Sequence, residues 1–301
     1  MGNRIFVAIA LKPGRGDVIS KKSMMKGKRS PYFRAATALL FLVPGLFSAL
    51  PARTRKAPAS SDTATVVVVY DGDTVKVKFG DGNERKVRLI GFDSPELDDK
   101  RDNVRFMAYV AKRFAFLRLY RKQVRLDYDW QPEDKYGRLL AFLTTDDGVL
   151  FNELILREGF AFKLRAFPFK PELMKRFEAA ENEARRGEKG LWRKGEPPIV
   201  APAEAAGLLG QLASVRMTCA SIEERKPFIV LRTPDGEFEA IIPERRRADF
   251  TDLEAMAGKT LLVTGLVEEF RGRVQIVADL PMQIKVLPFL YIVDRADVPE
   301  I

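Results

Sequence analysis

Histidine is absent from all 301 residues, and Cys219 is the single cysteine. The first absence excludes a Ser-His-Asp triad, a histidine general base and any His-ligated zinc or iron site. The second excludes an intrachain disulfide and a thiolate metal cluster. Chemistry on this chain therefore runs on carboxylates, Arg, Lys, Tyr and, where a metal takes part, a hard ion held by oxygen. An evenly spread positive charge is also missing. The net charge is +10, but residues 1–61 hold twelve Lys/Arg against one Asp, and the rest is close to balance. The global charge is thus weak evidence for nucleic-acid binding by the folded part.

The apolar run at residues 35–50 follows Lys26, Lys28, Arg29 and Arg34, and it is interrupted by Pro44-Gly45. It is short for a bilayer span of about 20 residues. A basic region, an apolar core and a small-residue exit at Pro51-Ala52 make it read as a secretory signal, with Met24 or Met25 as a start of conventional length. Residues 1–61 are expected to be signal and linker, giving a secreted or periplasmic protein. The alternative is a membrane tether through 35–50, with the rest of the chain facing outside.

From Asp62 the chain reads as a β-meander. Val66–Tyr70 is a β-branched run, Asp71-Gly72-Asp73-Thr74 a turn, and Val75, Val77 and Phe79 alternate with lysines. Gly80–Asn83 leads into a third strand over 84–92. A helix follows to about Arg121, capped by Asp102 or Asn103, with Val104, Met107, Ala108, Ala111 and Ala115 on its buried stripe. Strands at 123–129 and 138–144 come next, then helices at 150–158 and 171–186, the latter burying Leu173, Phe177, Ala180 and Ala184. Strand-strand-strand-helix-strand-strand is the order of an OB-type five-stranded barrel. The first domain spans 62–195, an Ala/Pro linker 196–206, and residues 207–301 repeat the order with a helix at 248–257. The fold class is mainly β with helices (α+β): an OB-type barrel with extra helices and a second, smaller OB-like barrel.

The stretch Val87–Glu96 concentrates chemistry. An apolar strand carries Arg88 and ends in Asp93 and Glu96, with Pro95 fixing a turn between the acids. A cation, an acid pair and a rigid turn suit metal-assisted chemistry on phosphate. Arg88 and Asp93 are five residues apart, so a regular strand would point them to opposite faces. Convergence requires a bend, expected at Gly91.

Three sequence words stand in one order: Asp71-Gly72-Asp73-Thr74-Val75-Lys76, Arg88-Leu89-Ile90-Gly91-Phe92-Asp93-Ser94-Pro95-Glu96, and Asp134-Lys135-Tyr136-Gly137-Arg138-Leu139-Leu140-Ala141. Over residues 63–193 the chain resembles the staphylococcal nuclease (thermonuclease) family. The resemblance implies a Ca²⁺-dependent phosphodiesterase acting on DNA, RNA or both. In it, Asp73 and Asp93 match metal carboxylates, and Ser94 a ligand through its backbone carbonyl. Glu96 matches the carboxylate that orients or activates water, and Arg88 and Arg138 the arginines that grip the scissile phosphate. Lys135 and Tyr136 match residues lining the nucleotide site. Phe167 and Phe169 stand where family tyrosines abut the nucleotide. The chain departs from the family after Glu96, where Leu97–Asp102 replaces a Lys/Gly-rich loop. A reading from a different class is a non-catalytic nucleic-acid- or protein-binding module on the same barrel.

Overall fold

In the computed structural model, residues 61–164 and 169–288 are described. The run at 35–50, expected to be a signal or a tether, lies outside them. Among the described residues no helix is long and apolar enough to cross a membrane.

Strands β1 (Ser61–Val69), β2 (Thr74–Phe79) and β3 (Glu84–Leu89) form the expected meander. The third strand stops earlier than its apolar pattern suggests. Gly91 takes φ +89, and the chain resumes as a separate two-residue β4 (Phe92–Asp93). Helix α1 (Asp102–Leu119) starts on Arg101, which makes no side-chain cap, so neither Asp102 nor Asn103 is the cap. Asp102 is instead the first helical residue and pairs with Arg105, placing its charge at the positive end of the helix dipole. Strands β5 (Gln123–Glu133) and β6 (Leu139–Thr145), helix α2 (Phe151–Arg157), β7 (Phe162–Lys163) and helix α3 (Pro171–Arg186) follow.

Five of these strands close a barrel in the order β1-β2-β3-β6-β5. The closing contact is parallel, with Val87 opposite Leu139 and Arg88 opposite Leu140. Parallel closure needs a long crossover, which α1 and β5 supply. The α1 stripe is wider than its spacing predicts. Val110, Phe114 and Leu119 are buried beside Ala108, Ala111 and Ala115, while Val104 and Met107 are only half-buried. Phe114 stacks on Phe151 of α2, so α1 has a second packed face. In α3, Phe177, Ala180 and Ala184 are buried as expected, and Leu173 is half-buried.

The Ala/Pro stretch after Gly195 carries order of its own. β8 (Ile199–Val200) pairs with β9 (Leu212–Thr218), and helix α4 (Pro202–Ala205) buries Ala205. Strands β10 (Ser221–Arg225), β11 (Phe228–Arg232), β12 (Phe238–Pro243), β13 (Thr260–Phe270), β14 (Arg273–Val277) and β15 (Ile284–Val286) complete the region. The sheet runs β10-β11-β12-β14-β13-β9, and β12–β14 is again parallel. Only Cys219 and Ala220 separate β9 from β10, which stand near opposite ends of this sheet, so the strand order repeats that of the first barrel. The helix expected at 248–257 is replaced by 3-10 turns at Glu244–Asp249 and Leu253–Met256. Phe250, Leu253 and Met256 are buried at a spacing of three, which fits a three-residue turn.

The two barrels meet on α1. Arg113 forms a two-pronged ion pair with Glu268 of β13, whose side chain is 0% exposed. Gln275 donates to the same carboxylate at 2.6 Å. Leu212 and Leu266 belong to the apolar core of the first barrel, and the Arg246 guanidinium lies over the Tyr109 ring.

Candidate active site

Three chain segments converge behind the open end of the first barrel. The first is the β1–β2 turn. Asp71 Oδ1 accepts the amides of Asp73 at 3.0 Å and Thr74 at 2.6 Å, which folds the turn back on itself. Gly72 is required by proximity rather than by its torsion. A Cβ there would lie 2.7 Å from Ser94 Cβ and 3.1 Å from Ala111 Cβ. The turn is thereby pressed against both the Ser94 loop and α1.

The Asp73 carboxylate is buried and fully engaged. Oδ1 accepts from Thr74 Oγ1 at 2.9 Å and pairs with Arg88 Nη1 at 2.5 Å. Oδ2 accepts the amide and the hydroxyl of Ser94 at 2.9 and 2.8 Å. Arg88 reaches across to Asp93 Oδ1 with Nη2, also at 2.5 Å. One guanidinium thus bridges the two carboxylates expected to bind metal. The Gly91 bend makes this possible, as the five-residue spacing demands. Asn152, fully buried on α2, fixes the bend by donating to the Ile90 carbonyl and accepting the Leu143 amide. The Gly91 carbonyl accepts from Leu164, and β4 pairs with β7.

Glu96 is exposed beside this cluster. Partial burial raises its pKa, and the charges of Asp73, Asp93 and Asp98 raise it further, against an opposing pull from Arg88. Asp93 is also raised, by burial first, with Arg88 opposing and Asp73 adding to the rise. Burial and the neighbouring Asp73 charge push Asp71 up to about 6. Asp73, Asp93 and Glu96 therefore lie in the field of one arginine, with Asp71 beside Asp73, a local excess of negative charge that a cation would relieve.

Among the described residues no three His, Cys, Asp or Glu side chains form a metal-holding group. The oxygens that would have to serve are the Asp73 and Asp93 carboxylates, both held by Arg88 in this structure, and backbone carbonyls. This oxygen-only set matches a hard divalent ion that keeps water ligands rather than zinc or iron.

Arg138, Lys135 and Tyr136 form a second group on the β5–β6 hairpin. Asp134 accepts the Arg138 amide at 2.9 Å and its Nε at 2.7 Å, and it also accepts the Tyr136 amide. Lys135 Nζ and the Arg138 guanidinium both lie over the Tyr136 ring, at 5.0 and 5.7 Å from its centre. Tyr136 is 73% exposed. Arg138 directly precedes Leu139, the strand partner of Val87, so the hairpin base is anchored beside the Arg88 strand. The structure brings Asp73, Arg88, Asp93, Ser94 and Glu96 together. It holds Arg138, Lys135 and Tyr136 one strand away, tied to Asp134.

One expectation is corrected. Phe169 packs in the core against Phe142 and Phe177 at ring separations of 5.4 and 5.5 Å, and is only 7% exposed. Burial of its apolar ring is favourable and takes it out of reach of a nucleotide. Phe167 lies outside the described residues. The sequence reading also missed Asn152 and the anchoring role of Asp134. A polar residue in the apolar helix pattern signalled the first, and the Asp-x-x-Gly turn signalled the second.

Residues 86–194 match the family described as "Staphylococcal nuclease homologue". A thermonuclease of Staphylococcus intermedius is 35% identical over 126 residues, covering 42% of this chain and 73% of that protein. A thermonuclease of Staphylococcus hyicus is 35% identical over 136 residues, covering 44% and 78%. A protein of Escherichia coli described as an uncharacterized endonuclease is 31% identical over 132 residues, covering 44% and 78%.

Proposed function

Because the chain belongs to the staphylococcal nuclease family and is a nuclease, we propose that it uses Ca²⁺ and the Asp73–Arg88–Asp93 bridge to hydrolyse phosphodiester bonds of DNA, RNA or both. Asp73, Asp93 and the Ser94 carbonyl would hold the ion, which when bound supplies positive charge to a phosphoryl oxygen. Arg88 and Arg138 offer planar donor pairs that match two phosphoryl oxygens and stabilise the charge that builds on them. A guanidinium is a fixed cation and a poor proton donor, so their work is electrostatic. Glu96 is the exposed carboxylate next to the cluster. Its raised pKa makes it a better proton acceptor for the attacking water than an ordinary glutamate. Lys135 and Tyr136 offer a cation and an exposed ring for the nucleotide beside the scissile bond.

The observation that carries this reading is the single buried guanidinium shared by Asp73 and Asp93, with Glu96 in the same negative field. The test is cleavage of single-stranded DNA, double-stranded DNA and RNA by the purified protein in Ca²⁺, Mg²⁺ and EDTA. Cleavage in Ca²⁺ that EDTA abolishes is expected. A folded protein that binds nucleic acid but leaves it intact under every condition would overturn the reading in favour of a binding module.

The basic region, apolar core and small-residue exit over 26–52 support export to the periplasm or medium. N-terminal sequencing of the mature protein tests this. A start beyond residue 50 is expected, and an intact 35–50 segment in the membrane fraction would replace export with a tether.

A further inference from the structure

The second sheet carries an arginine-lined cleft that the cleavage site does not use. It lies between the tips of two hairpins, β11–β12 and β13–β14, and is lined by Arg232, Arg271, Arg273, Asp235, Gly236 and Gly272. Two of its arginines are set in place from below. The buried Glu239 carboxylate, 4% exposed, accepts Arg232 Nε at 3.0 Å and Nη2 at 2.8 Å, and Arg273 Nη1 at 2.9 Å. Glu223 accepts Arg232 Nη1 at 3.0 Å, and Asp235 in the lining accepts the Thr233 hydroxyl at 2.6 Å and the Glu237 amide at 3.0 Å, so Arg271 is the arginine of the cleft that these carboxylates do not hold.

Arg271 is the telling residue. Phe270 and Arg273 pair across the hairpin, so its loop is the two residues Arg271-Gly272, with φ +54 and +75. A loop with both angles positive favours Asn-Gly or Asp-Gly, because a long side chain gains nothing from the left-handed region and strains it. Arginine is a costly choice there on backbone grounds. Its guanidinium lies over the Phe270 ring at 5.3 Å, and that ring is 53% exposed. The tip thus presents a cation and an aromatic face side by side, beside the buttressed Arg273.

We propose that this cleft binds a phosphate of a single-stranded nucleic-acid chain, with Phe270 offering its face to an adjacent base, and so acts as a second contact for substrate held at the cleavage site. Arginine forks recognise phosphate, and base-on-ring stacking tolerates any sequence. The proposal rests on the nuclease reading for its substrate. The cleft is carried on β13, the strand whose Glu268 docks on α1, and Phe270 is two residues further along. At about 3.3 Å per residue, the hairpin tip starts within about 7 Å of that docking point, so the cleft lies close to the first barrel.

The experiment uses the full protein and the variants Arg271→Asn and Arg271→Asn/Arg273→Gln. Asparagine suits the turn, so thermal stability of the single variant should hold or rise, which separates a binding role from a structural one. Binding of a labelled single-stranded 20-mer, read by anisotropy in EDTA, should weaken roughly three- to tenfold in the double variant. The slope of log affinity against log salt should fall by about 0.7 per phosphate no longer neutralised. Cleavage of a dinucleotide substrate, too short to span both barrels, should be unchanged while KM on long single strands rises. Inorganic phosphate that displaces the probe only at the ionic strength that also displaces it from the double variant supports a chain ligand. Unchanged affinity and salt slope in the double variant would overturn the cleft, whatever the cleavage assay shows. Absent cleavage with a reduced affinity would instead overturn the nuclease reading and leave the cleft standing.

Discussion

Arg88 Nη1 lies 2.5 Å from Asp73 Oδ1, and both side chains are about nine-tenths buried. Removing either partner strands a charge away from water, a change that costs about 3–5 kcal/mol. Arg88→Ala is therefore expected to lose stability of that order in urea unfolding as well as turnover. Arg88→Lys keeps the charge but cannot fork to Asp73 and Asp93 together. It should recover part of the stability and little of the rate.

Glu96 is exposed, and its side chain takes no part in the hydrogen bonds that hold the Asp73 turn or the Gly91 bend. Glu96→Gln should keep the unfolding midpoint and lose about 10²–10⁴-fold in kcat, the usual scale of a lost general base. Turnover within a factor of a few of the parent would remove Glu96 from the reaction.

Calcium should stabilise the protein by mass action, by about 2.7 kcal/mol at a hundredfold excess over its dissociation constant, and so raise its melting temperature. In Asp73→Asn the calcium-induced increment should vanish, whatever the variant's own starting stability. An undiminished increment would place the ion elsewhere.

At Gly91 a Cβ would meet the Phe177 ring at 2.4 Å, and φ is +89. Clash and backbone strain together are expected to cost Gly91→Ala about 3 kcal/mol or more. Gly137, with φ +77 and open space around it, isolates the backbone part. Gly137→Ala should cost about 1–2 kcal/mol, and equal losses at the two sites would contradict the packing account.

Arg113→Ala leaves the Glu268 carboxylate inside the inter-barrel contact with Gln275 as its remaining partner among the described residues. A loss near 3 kcal/mol is expected. The pair Arg113→Met/Glu268→Gln, which removes the charges together, should restore most of it.

Much of the fold is readable in the chain because local and global signals agree. The alternation at Val75, Val77 and Phe79, the turn at Asp71–Thr74 and the stop at Gly187 each match an element the structure contains. The bend at Gly91 follows from the wrong parity of Arg88 and Asp93. What escapes is set by tertiary packing. Phe169 stands at a nucleotide position by its place in the chain, but a core made by Phe142 and Phe177 claims it. The α1 stripe widens because the helix packs against α2 and a second barrel, and no period along its own sequence encodes those partners. The 248–257 segment has helical composition, yet a left-handed Asp252 divides it into tighter turns.

Both halves contain one parallel pairing between non-consecutive strands, β3 with β6 and β12 with β14. One edge of β3 stays bare until β6 has been made, and one edge of β12 until β14 has been made. On the ribosome these waits fall one after the other, because the first barrel's last strand precedes every strand of the second circuit. Dilution from denaturant removes that ordering and bares both edges at once, each flanked by the same sequence of neighbours. Cross-pairing between the two halves is then the misfolding route to expect on refolding the full chain.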